Sequence, residues 1–139
     1  MDPIGGVASV LQLVQAVGLL ANGTFIACQR LRNAPKEFSE LTLQVSWMRS
    51  HLQNCESTLT AISPSLLTSD IKLSLTVSLT EASSCFLELE RILYRIDDVS
   101  HLDSRIKWAA RTRSQAGKVV SRLEGCGKRI DSALQLLSV

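Results

Sequence analysis

From residue 35 to residue 63 the apolar side chains fall at Phe38, Leu41, Val45, Met48, Leu52, Cys55, Leu59 and Ile62, alternately three and four positions apart. A strand, whose side chains alternate faces every residue, cannot use that spacing, whereas a helix lines all eight along one stripe. Pro35 suits a first helical turn and Ser63-Pro64 ends the run, so the pattern predicts a helix over 35–62. Burying one large apolar side chain is worth roughly 1.5–3 kcal/mol, and the entropy of ordering the chain offsets most of that. Such a stripe therefore needs partner helices.

The sequence offers them. Ile71, Leu75, Leu79, Ala82, Phe86, Leu89, Leu93 and Ile96 mark a second face and predict a helix over 69–97. Its first half, 71–79, also alternates with period two like a half-buried strand, but a lone strand has no partner, so helix is preferred. After a connection through Asp97-Asp98-Val99-Ser100, a short helix is expected at 104–111 near Trp108. Thr112 and Gln115 then read as a capping box opening a last helix at 113–138, with Ala116, Val119, Leu123, Cys126, Ile130, Leu134 and Leu137 as its stripe. Gly125 and Gly127 weaken that helix locally, each by about 1 kcal/mol relative to Ala, and suit a close helix crossing.

The N-terminal segment differs. Residues 3–29 are 27 consecutive uncharged residues, and Ile4, Val7, Val10, Leu11, Leu13, Val14, Val17, Leu19 and Leu20 nearly encircle a helix expected over 4–33. A helix apolar on almost all sides is central in a bundle or lies in a membrane, and the sequence leaves both open. The expected fold is all-α: a single helical bundle of four long helices plus the short one near Trp108. At 139 residues, 45% of them hydrophobic, the chain makes one domain with a core; aromatics at 4% argue against a β-sandwich or barrel.

Net charge is only +2, but residues 51–99 hold seven acids and three bases, while residues 100–139 hold eight bases and three acids. Arg105, Lys107, Arg111, Arg113, Lys118 and Arg122, with Trp108 among them, could meet anionic lipid head groups or an acidic partner. They could equally pair with Glu88, Glu90, Asp97 and Asp98 of a neighbouring helix. Cys28, Cys55, Cys85 and Cys126 have no metal-ligand spacing and sit among apolar residues; they read as reduced core side chains of an intracellular protein. His51 and His101 are isolated, and no HExxH, GxSxG or SxxK motif occurs. Gly127-Lys128 is no phosphate loop, because position 122 is Arg and position 129 is Arg. Neither an enzyme nor a cofactor is expected. One aromatic in the basic quarter and no recognised motif also argue against a specific nucleic acid.

Three stretches resemble the fungal HeLo-like N-terminal domains: the opening Met1-Asp2-Pro3-Ile4-Gly5-Gly6-Val7-Ala8-Ser9-Val10-Leu11-Gln12-Leu13; Arg32-Asn33-Ala34-Pro35-Lys36-Glu37-Phe38; and Ile106-Lys107-Trp108 followed by Leu123-Glu124-Gly125-Cys126-Gly127-Lys128. The fungal SesA-type domains begin similarly. The resemblance implies a helical bundle serving as the cell-death effector of a nucleotide-binding receptor of the STAND class. On activation such domains are thought to oligomerise, move from the cytoplasm to the plasma membrane and permeabilise it through the N-terminal helix. The implied partners are anionic membrane lipids, further copies of the chain and a nucleotide-binding receptor domain in cis or in trans. The alternative is a helical adaptor that docks a protein and has no membrane role.

Overall fold

The computed structural model describes residues 3–30, 37–97 and 102–137, with side chains described over 6–29, 40–94 and 114–137. Four helices account for nearly all of them: α1 Pro3–Arg30, α2 Glu37–Ala61, α3 Ser69–Asp97 and α4 Leu102–Leu137; there is no strand among the described residues. The ambiguous stretch 71–79 is helical, and Leu73 and Val77, which created the period-two pattern, face solvent.

The expected break between a short helix near Trp108 and the last helix does not occur. One helix runs Leu102–Leu137. Thr112 and Gln115 have capping-box spacing, but no proline lies between 102 and 137 and Trp108-Ala109-Ala110 favour helix, so nothing stops the backbone there. A true stop lies at Ser63-Pro64. Proline crowds the residue before it out of the helical region; Ser63 is extended at φ −68°, ψ 131°, and a single 3-10 turn Pro64–Leu66 follows. Thr68 then caps α3: its Oγ1 accepts from the Ile71 amide at 3.4 Å and its carbonyl from the Lys72 amide at 2.9 Å.

Contacts arrange the helices as a ring in the order α1, α2, α4, α3. Cys28 meets Thr42 while Val14 and Glu56 share one groove, so α1 and α2 are antiparallel. Arg122 meets Glu88 while Arg129 meets Glu81, so α3 and α4 are antiparallel too. Trp47 lies on Gly127 and His51 on Asp131, so α2 and α4 run parallel. The molecule is thus two hairpins packed side by side.

The core is built from the expected stripes. Leu41, Val45, Met48, Leu52, Cys55 and Leu59 of α2 meet Leu75, Leu79, Ala82, Phe86, Leu89 and Leu93 of α3 and Val119, Leu123, Cys126, Ile130, Leu134 and Leu137 of α4. The α2–α4 seam is closest at Gly127, where a Cβ would stand 2.8 Å from the Trp47 ring. Only glycine leaves room for that ring, which is in turn held edge-on by His51 at 4.1 Å. Gly125 faces open space and plays no such part.

Candidate membrane-active helix

Helix α1 occupies one corner of the ring, against α2 and α3. Its buried stripe is Gly6, Val10, Val14, Val17, Ala21, Thr24 and Cys28. Every side chain in it is valine-sized or smaller, whereas α2, α3 and α4 bury Leu, Met, Phe and Ile. Apolar stabilisation scales with area removed from water, so each α1 anchor contributes less than its counterparts across the core. The one polar member, Thr24, donates to the Leu20 carbonyl at 2.9 Å and leaves no buried polar group unsatisfied.

The opposite face of α1 is exposed through Ala8, Ser9, Gln12, Gln15, Ala16, Leu19, Asn22, Ile26 and Gln29. None carries charge. Leu19 is 74% exposed and Ile26 50%. A helix face turned to water in a soluble bundle is ordinarily rich in charged residues. The segment Gly6–Gln29 is long and apolar enough to cross a membrane, yet only 28% of its apolar window is buried in the bundle. α1 is therefore not the central, all-round-buried helix that its apolarity alone allowed.

The residues expected to enter a membrane divide among these environments. Val10, Val14 and Val17 are core; Val7, Leu11, Leu13 and Leu20 are half-buried; Leu19 is exposed. The Ile4 side chain lies outside the described residues. Arg49 of α2 holds the middle of α1 in place: its Nε donates to Asn22 Oδ1 at 2.8 Å and its guanidinium lies 4.3 Å above the Phe25 ring. Gln15, Gly18, Leu19 and Asn22 line a groove of about 330 Å³ between α1 and α2, with Arg49 and Glu56 on its far side.

No family model, no curated protein and no solved structure matches the chain.

Of the basic set, Arg105, Lys107, Trp108, Arg111 and Arg113 have side chains outside the described residues. Lys118 is exposed. Arg122 is engaged within the bundle, at 3.1 Å from Glu88 and 3.6 Å from Glu81, and Arg129 reaches Glu81 at 2.9 Å. These two arginines tie α4 to the acidic middle of the chain through Glu88 and Glu81. All three pairs are solvent-exposed and contribute little to stability. His51, expected to be isolated, is not: its Nδ1 donates to Asp131 Oδ1 at 2.7 Å across the α2–α4 seam. Their 80-residue separation leaves no local signal to find. Among the described residues no group of three or more His, Cys, Asp or Glu side chains is placed to hold a metal.

Proposed function

We propose that this chain is a membrane-permeabilising effector domain: at rest it is a cytoplasmic bundle, and when activated it moves to the plasma membrane, oligomerises and inserts α1. The observation that carries this reading is the uncharged outer face of α1 opposite a buried stripe of small side chains. The helix is anchored lightly and carries no charge from Pro3 to Gln29 to bring into lipid. The HeLo-like resemblance supports the same reading and adds its setting, fungal programmed cell death triggered by a nucleotide-binding receptor domain in cis or in trans.

The energetics suit a conditional insertion. Leu, Ile, Phe and Val each gain roughly 0.3–0.6 kcal/mol at the bilayer centre, so the ten between Ile4 and Phe25 gain roughly 3–6 kcal/mol together. Gln12, Gln15 and Asn22 oppose this unless neighbouring copies satisfy them. Insertion of that size needs activation and partners.

Leu19 is the informative position. A charge at Val14 would unfold the bundle, because Val14 is core; Leu19 faces water and tolerates one. An aspartate at a helix centre costs about 2.5–3.5 kcal/mol on the same scale, which cancels most of the gain. We expect Leu19→Asp to keep its melting temperature and to lower dye release from vesicles rich in anionic lipid by about a hundredfold. A folded Leu19→Asp protein that permeabilises vesicles as the wild type does would remove α1 from the mechanism.

One observation favours a docking module instead. Leu73, Val77, Leu87 and Tyr94 are all exposed at helical spacing on the outer face of α3, a surface the membrane reading does not use. That reading expects no leakage from the wild-type chain even at protein concentrations and anionic-lipid contents that drive oligomerisation on the vesicle, so the assay run under those conditions separates the two.

A further inference from the structure

Cys85 of α3 and Cys126 of α4 are both fully buried, and the register that sets Arg129 on Glu81 and Arg122 on Glu88 places them opposite each other across the antiparallel helix pair. Cys28 and Cys55 are also buried and free, but neither faces a second thiol in this way. The Cys85–Cys126 pair lies under a thin polar cover. Arg129 Nη2 donates to Cys126 Sγ at 3.5 Å and also reaches Glu81, and Arg122 adds its charge beside Cys85. The side chains of Arg122, Arg129 and Glu81 are 43%, 51% and 36% exposed, so the layer over the thiols is itself in contact with water.

We propose that Cys85 and Cys126 form a peroxide-driven disulfide that clamps α3 to α4. The inference rests on this facing pair alone and is independent of any role for α1.

The chemistry follows from the surroundings. The thiol of Cys126 is held below its ordinary value because it accepts the Cys85 S–H, with Arg129 adding a hydrogen bond and positive charge; burial and Glu81 oppose this. Cys85 is correspondingly pushed up, first because its proton is held in that bond and then by burial. Cys126, with the Arg129 guanidinium on its sulfur, is the attacking sulfur in this scheme and Cys85 the resolving thiol. The Cys126 sulfur attacks hydrogen peroxide, the O–O bond breaks, and sulfenic acid and hydroxide result. The Cys85 sulfur then attacks the Cys126 sulfur; the S–S bond forms, the S–O bond breaks, and hydroxide leaves as water with the Cys85 proton. Two thiols and one peroxide give one disulfide and two waters, with two electrons passing to the peroxide. Hydrogen peroxide is close to water in size, and the half-exposed Arg129 side chain, in contact with Cys126, is the group it would have to displace.

The bond would close a long loop containing the α3–α4 connection, and cross-links around long loops restrict the unfolded chain most. The folded wild-type protein should be treated with hydrogen peroxide at neutral pH, then analysed by intact mass, by non-reducing peptide mapping and by thermal melting. Loss of two hydrogens, a cross-linked peptide joining Cys85 to Cys126, and a melting temperature raised by about 10 °C that returns on reduction are expected. Cys28→Ser should behave the same way. Oxygen added at Cys126 without a cross-link, a cross-link through Cys28 or Cys55, or an unchanged melting temperature would each overturn the proposal. The wild-type measurements decide the matter even if Cys85→Ala fails to fold.

Discussion

Phe86→Ala should cost about 3–5 kcal/mol of stability, while Leu87→Ala, one residue on, should change it by no more than about 0.5 kcal/mol. Phe86 is among the largest fully buried side chains, on the face of α3 turned to the core. Its truncation loses transfer energy and leaves a void in a close-packed core. Leu87 points away and is 43% exposed. For a chain of this length the first change should lower the melting temperature by about 10–15 °C. Chemical denaturation gives the free energies directly, with the slope against denaturant unchanged if the unfolding remains two-state. Similar losses at both positions would mean that α3 is rotated from the orientation described.

That contrast also explains how much of the fold was legible beforehand. The three- and four-residue spacing through α2, α3 and α4 identifies the buried face because each of these helices has a polar face to set it against. Ser63-Pro64 fixes a boundary because proline constrains its predecessor whatever the tertiary context. The supposed break near Thr112 misled for the opposite reason. A capping box is a local preference worth about 1 kcal/mol, and with no proline or turn residue beside it, propagation of an existing helix is favoured.

The candidate site was only half legible. Val10, Val14, Val17, Ala21, Thr24 and Cys28 have heptad spacing, but the apolar residues between them conceal it; packing, not pattern, chose which side of α1 is covered. Which positions face water became clear only with α2 and α3 in place. The same holds for pairs that depend on register between helices. Arg122 read as part of a basic stretch, yet the α3–α4 alignment sets it on Glu88 and Glu81. Cys85 and Cys126 are 41 residues apart in sequence and meet for the same reason.

Alkaline pH should expose the cost of the buried thiol at Cys55. This side chain is fully buried on the core face of α2, one turn beyond His51 and close to Asp131. Burial pushes its thiol up from 9.0 to about 12, and the carboxylates of Asp131 and Glu56 push in the same direction. In the unfolded chain the thiol loses its proton near pH 9, while the folded chain keeps it bound. Protons bound in excess by the folded state mean that stability falls as pH rises. The contribution is therefore complete below pH 9 and is lost between pH 9 and about 12. One proton corresponds to about 1.4 kcal/mol per pH unit, so the whole window is worth about 4 kcal/mol. Cys55→Val has no proton to lose. It should match the wild type within about 1.5 kcal/mol at pH 7 and gain on it steadily above pH 9. Lysine and tyrosine titrations are common to both proteins and cancel in the difference. Unfolding by urea at neutral pH and at several alkaline values measures that difference, and parallel curves for the two proteins would show that the Cys55 thiol ionises as freely inside the bundle as outside it.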